Sequence, residues 1–229
     1  MEYPHNRPYT ADDLVRIITL LRDPVNGCPW DKVQTHTSIR MNFLEEAYEA
    51  VDALDLDDPV LMCEELGDVL MQVAFHTCME QETGRFTWEQ VCDGVCQKLI
   101  ERHPNIFGTQ PGYEGITDWD ALKNKEKGRR TLADDLESVP RAMPALMRAA
   151  KLQKRAARHG AALQGADAAA LADAAENLQT AQPASAQAEQ AVGELLFAAA
   201  NLARQAGVDP EQALQKVNEA FCTAAGPVA

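Results

Sequence analysis

Along nearly the whole chain apolar residues recur at three- and four-residue spacing, and no stretch shows sustained alternation of β-branched with polar residues. The pattern predicts an all-α fold. Residues 11–22 predict a first helix, opened by Thr10 with Asp12 and Asp13 in its first turn, where negative charge complements the helix dipole. The segment DPVNGCPWDKVQTHT, with two prolines and a glycine, breaks it. A second helix is expected to start near Ser38, with Ile39, Phe43, Ala47, Ala50, Val51 and Leu54 on one face. The acidic turn DLDDP ends that helix, and a third is expected from Pro59, well placed at a first helical position, to about Glu82. So short a connection predicts that these two helices run antiparallel as neighbours. Gly84 closes the third helix, and a fourth is expected from about Thr87 to Arg102, before HPNIFG.

Further on come a Gly- and Pro-rich turn, a short segment around Trp119 and the charged link KNKEKGRR. Another helix is expected from Pro140 to His159, and in the Ala-rich remainder, 161–229, the stretch TAQPASAQ reads as a loop between two helices. An internal echo joins the two halves: GDVLMQVAF at 67–75 returns as GELLFAAAN at 193–201. Two related helical units are the expectation, one over 1–130 and one over 131–229.

Charge narrows the partners. The formal net charge of −14 repels a phosphate backbone, which argues against nucleic acid, whereas free nucleotides stay accessible through a bridging metal. The start MEYPHNRPYT lacks a cationic segment followed by an apolar run, and no stretch approaches a membrane span, so a cytoplasmic protein away from membranes is expected. Six scattered cysteines show no C-x-x-C pair and read as reduced thiols.

The chemistry sits in two acid pairs. FLEEAYEA puts Glu46 and Glu49 on adjoining turns of one helix face, roughly 5–6 Å apart at Cβ, and EELGD gives Glu65 and Asp68 the same offset on the next helix. Either pair alone reads as a solvated helix face. Their third-helix surroundings, Leu61, Leu66, Val69, Leu70, Met71, Val73, Ala74 and Phe75, predict a largely buried helix on which acids need a compensating partner. Across an antiparallel pair the four carboxylates converge on a cage for a hard cation, magnesium or manganese, and no histidine at these offsets suggests zinc or di-iron.

Taken together, NGCPWDKVQTHTS, FLEEAYEA, EELGDVLMQVAFH and KLIERHPNIFG resemble the N-terminal part of the MazG proteins. With PRAMPALMRAAKLQKRA and NLARQAG...ALQKVNEAF the resemblance spans nearly the whole chain as a tandem of two MazG units. It implies hydrolysis of a nucleoside triphosphate to monophosphate and pyrophosphate, with Glu46, Glu49, Glu65 and Asp68 holding magnesium. It also places Trp30, Asp31 and Gln34 near the nucleotide, although Trp30 alone reads equally as a cap on the core. Glu45 is a candidate general base or outer acid, or else points to solvent. Lys98 and Arg102, four apart on the fourth helix, either meet phosphate oxygens or form an exposed basic edge. His36 and His103 read as hydrogen-bonded structural residues.

The second unit departs from this pattern. Ala191 stands where Glu65 does, Glu194 where Asp68 does, and Asp173 and Glu176 replace Glu46 and Glu49. It should bind magnesium poorly, yet it keeps Lys216 and Asn218, which the family sets near phosphate; the first unit has Gly94 and Cys96 there. Three readings follow: a working N-terminal hydrolase with a degenerate C-terminal unit, a composite site completed by Lys216 and Asn218, or a catalytically weak nucleotide-binding or regulatory protein. Short helical units expose apolar faces when alone, so a homodimer is expected. Nothing in the sequence sets base or sugar preference.

Overall fold

The computed structural model of the chain describes residues 2–5, 7–104, 106–108, 126–128 and 131–226, and among these all regular structure is helical. The chain is all-α and divides into two compact units, Met1–Ile116 and Thr117–Ala229. The unit boundary expected at 130 and the segment around Trp119 lie outside the described residues. No helix among them is long and apolar enough to cross a membrane.

In the N-terminal unit, α1 (Ala11–Leu21) starts on a reciprocal cap: the Thr10 hydroxyl accepts from the Asp13 N–H and the Asp13 carboxylate accepts from the Thr10 N–H. The chain then turns at Gly27, where a Cβ would lie 2.4 Å from the carbonyl oxygens of both Asp23 and Leu21, so no other residue fits. A single 3-10 turn, Asp31–Val33, leads to α2 (Arg40–Asp55). Asp58 caps α3 (Pro59–Glu82) by accepting from Val60 and Leu61, with Pro59 in the first turn, where its missing N–H costs nothing. Thr87 and Gln90 form the capping box of α4 (Trp88–Arg102).

Ile18, Ile39, Ala74, Phe75, Cys78, Met79 and Trp88 make the core of this unit. Each large side chain among them contributes roughly 1.5–3 kcal/mol by leaving water. Beside the core, the buried Arg22 guanidinium grips both carboxylate oxygens of Glu82, at 2.6 and 2.8 Å. Its Nη1 donates to the carbonyls of Asp31 (2.8 Å) and Gln34 (3.2 Å), which fixes the 31–34 segment to the ends of α1 and α3.

Burial corrects two expectations. Ile39, just before α2, and Ala50 and Ala53 on it are buried, but Val51 and Leu54 are half-exposed. On α3, only the second half, from Gln72 to Glu80, is in the interior; Val60 is 77% and Leu66 50% exposed. Apolar residues in the first half of α3 thus outnumber the surfaces that cover them.

The C-terminal unit comprises α5 (Leu132–Glu137), α6 (Ala145–Arg158), α7 (Ala168–Thr180), α8 (Ala186–Gln205) and α9 (Pro210–Ala225). The helix expected over Pro140–His159 begins only at Ala145, because Pro144 is extended (φ −49°, ψ 140°) and a proline inside the helix would break its ladder. The short α5 was not expected from periodicity, although its capping box, Thr131 with Asp134, is a local signal. α7 and α8, joined by residues 181–185, pack closely on small side chains, with Ala174, Ala191, Ala198 and Ala200 all buried. Gln153 of α6 reaches the Phe197 carbonyl at 2.8 Å, and buried Asp135 of α5 pairs with Arg155 at 3.1 Å.

Candidate active site

The turn at 56–58 folds α3 back along α2, and side-chain pairing gives the register: Gln72 meets Glu46, while Glu65, two turns earlier on α3, lies near Glu49, further along α2. The helices are therefore antiparallel. Carboxylate oxygens of Glu46, Glu49 and Glu65 all lie within 4.8 Å of one another. Asp68 stands outside that tight group, yet its charge is felt by two of its members.

The electrostatics follow from crowding. Glu46 is raised above the ordinary carboxylate range, first by burial and then by the charges of Asp68, Glu49 and Glu45, against the pull of the Gln72 amide. Glu65 is raised as well, first by desolvation and then by Glu49, Asp68, Glu64 and Glu46. Glu46, Glu65 and Asp68 are half-buried and Glu49 is exposed. The case for a compensating cation thus rests on mutual repulsion rather than on a buried helix. An all-oxygen donor set of this kind suits a hard divalent cation.

Sequence reasoning passed over Gln72. It is 7% exposed, and its Nε2 donates to Glu46 Oε1 at 3.3 Å. One turn further along α3, His36 Nδ1 and His76 Nδ1 share a hydrogen bond of 2.7 Å with their rings stacked, and His36 Nε2 meets Glu80 Oε1 at 2.5 Å. Buried Glu80 also binds Arg85. The His76 ring packs against Phe43, three residues before Glu46, and its basicity is lowered by burial and then by His36. His36 is thus hydrogen-bonded at both ring nitrogens.

The remaining candidates are placed less closely. Trp30 is exposed; Asp31 is half-buried and presents its backbone to Arg22; Gln34 donates to the Trp30 carbonyl at 2.9 Å and accepts from Ser38. Glu45 is exposed beside Glu46. On α4, Lys98 is exposed and Arg102 half-buried; among the described residues no ion pair brings Lys98 to the acids. In the C-terminal unit Asp173 and Glu194 line a separate cavity of about 450 Å³ with Asn177, Ala191 is buried, and no third carboxylate gathers with them among the described residues. Lys216 and Asn218 are exposed on α9.

The family model of the MazG nucleotide pyrophosphohydrolase domain matches residues 34–107, the stretch that carries all four acids. The chain is 41% identical to a nucleoside triphosphate pyrophosphohydrolase of Escherichia coli, over 92% of this chain and 83% of the relative. It is 38% identical to the nucleoside triphosphate pyrophosphohydrolase/pyrophosphatase MazG of Thermotoga maritima, over 92% of this chain and 82% of that one. A nucleoside triphosphate pyrophosphohydrolase of Mycobacterium tuberculosis is 34% identical over 66% of this chain and 46% of its own length. On these matches, the chain belongs to the MazG family of nucleotide pyrophosphohydrolases.

Proposed function

We propose that the N-terminal unit, over residues 1–130, hydrolyses nucleoside triphosphates to monophosphate and pyrophosphate with magnesium, or manganese in its place, held by Glu46, Glu49, Glu65 and Asp68. The observation that carries this reading is the convergence of three carboxylates from two antiparallel helices within 4.8 Å, in a region matched by the family model. When bound, the cation supplies positive charge to the phosphoryl oxygens of a tetra-anionic substrate. The protein residues do the rest. Gln72 orients Glu46. Glu45, free of the tight group, accepts a proton from the attacking water. Trp30, on the segment that Arg22 pins, offers an exposed ring for a base to stack on, with Asp31 and Gln34 beside it. Lys98 and Arg102 meet phosphate oxygens.

The C-terminal unit, over 131–229, is a degenerate MazG-like unit that does not hold the metal. The protein acts in the cytoplasm on free nucleotides, not on nucleic acid or at a membrane, and does so as a homodimer. Half-exposed Tyr48, Val51 and Leu54 on α2 and Leu66 and Leu70 on α3 support the dimer, because they leave apolar surface for a second copy to cover. The decisive experiment resolves the products formed from a panel of ribo- and deoxyribonucleoside triphosphates with and without magnesium. Monophosphate and pyrophosphate are expected only with metal, abolished in Glu49→Ala and retained in Glu194→Ala. Wild-type protein that releases nothing from any triphosphate defeats the proposal.

A further inference from the structure

The C-terminal unit contains a cavity of about 620 Å³ between α6, the end of α8 and the start of α9. Its charged lining is mainly cationic, Lys151, Lys154 and Arg204 against a single acid, Asp209. In a chain with 35 acidic and 21 basic residues, three cations around one concavity would be expected to draw acids to themselves. They have not. Among the described residues neither the Lys151 nor the Lys154 side chain has a hydrogen bond or ion pair. The one acid lining the cavity, Asp209, spends a carboxylate oxygen on the Gln212 N–H at 3.0 Å as the cap of α9. The nearby Glu211 carboxylate accepts from the Met147 N–H at the start of α6.

Arg204 is held in place. Its Nε and Nη2 donate to Asn201 Oδ1 at 3.0 and 2.8 Å, and Asn201, 2% exposed, is itself anchored to the Ala166 carbonyl at 2.6 Å. This leaves Nη1 as a donor without a protein partner among the described residues. Met143, Met147 and Val208 form an apolar wall. The cavity lies within the size range of small-molecule sites, about 300–1,000 Å³.

We propose that this cavity binds a phosphate-bearing anion without a metal ion, with Lys151, Lys154 and Arg204 on the phosphate and the Met143, Met147 and Val208 wall against any attached ring. The charge logic is the reverse of that in the acid cluster of the N-terminal unit, so the two sites are separable by removing metal.

The test titrates the full chain, stripped of metal with EDTA, with inorganic pyrophosphate, inorganic phosphate and AMP by isothermal calorimetry at low salt. Without metal the N-terminal acids repel all three. One pyrophosphate per chain is expected, weakened at least about tenfold in Lys151→Gln/Lys154→Gln and unchanged in Glu46→Ala/Glu49→Ala. Tighter binding of AMP than of phosphate assigns the apolar wall to a nucleoside; equal binding makes phosphate alone the recognised group. If the double variant does not fold, the exposed Lys154 changed singly to Gln carries a loss of about threefold. Absence of binding at millimolar pyrophosphate, or wild-type affinity in the lysine variants, overturns the proposal.

Discussion

Gln72 carries an uneven hydrogen-bond account. Its NH2 end faces Glu46, a carboxylate that can only accept, while its buried Oε1 has no partner. An apolar side chain of similar size therefore removes an unsatisfied oxygen along with the donor, and the two effects on stability oppose each other. Glu46 loses its orientation in the same change. Gln72→Leu is expected to melt within a few degrees of wild type while its affinity for manganese, followed by electron paramagnetic resonance, falls about 10–100-fold. Unchanged affinity would leave Gln72 a packing residue only. Such a role was not legible along the chain. Gln72 and Glu46 are 26 residues apart, and His36 and Glu80 are 44 apart. Their meeting depends on the antiparallel register of α2 and α3, whereas E-x-x-E and E-x-x-D are spacings within single helices that sequence displays directly.

The α2 and α3 pair is an element under electrostatic load. Glu46 and Glu65 both have raised pKa values, so across that window the folded protein binds more protons than the unfolded chain, and their contribution to stability falls as pH rises through it. Without metal, Glu65→Gln is therefore expected to melt higher than wild type at pH 8, with the difference vanishing near pH 4. Magnesium should invert the order. At about a hundred times its dissociation constant a ligand adds about 2.7 kcal/mol to the state that binds it, several degrees of melting temperature, and Glu65→Gln should miss most of that gain. A variant that melts lower than wild type at pH 8 without metal would show that the carboxylates are not in conflict. The starts of α3 and α4 were legible because start signals are local: Asp58 before Pro59, and Thr87, stand where sequence placed them. Burial was not, since Leu54 and Leu66 are apolar at helical spacing yet half-exposed. Periodicity says which side chains share a face, not whether a surface exists to cover it.

At the scale of the molecule, each unit leaves apolar side chains in water that its own helices do not cover. On the N-terminal unit these are Tyr48, Val51 and Leu54 at spacing three on α2, and Leu66 and Leu70 at spacing four on α3; on the C-terminal unit, Leu214, Val217 and Phe221 follow one side of α9. A specific interface buries about 800 Å² per partner, which several side chains of this size approach together with their polar surroundings. The α2 and α3 stripes have the stronger claim, because they lie on the helices that set the spacing of the acids, and a second copy packed there would stiffen that spacing. Sedimentation velocity at about 10 μM should show a dimer for wild type. Leu54→Glu/Leu70→Glu should sediment as a monomer, since a charge driven into an apolar contact without a partner is too costly to keep. Val217→Glu/Phe221→Glu should remain dimeric. If the second pair of substitutions dissolves the dimer and the first does not, self-association runs through α9, and the acid cluster owes nothing to a neighbouring copy.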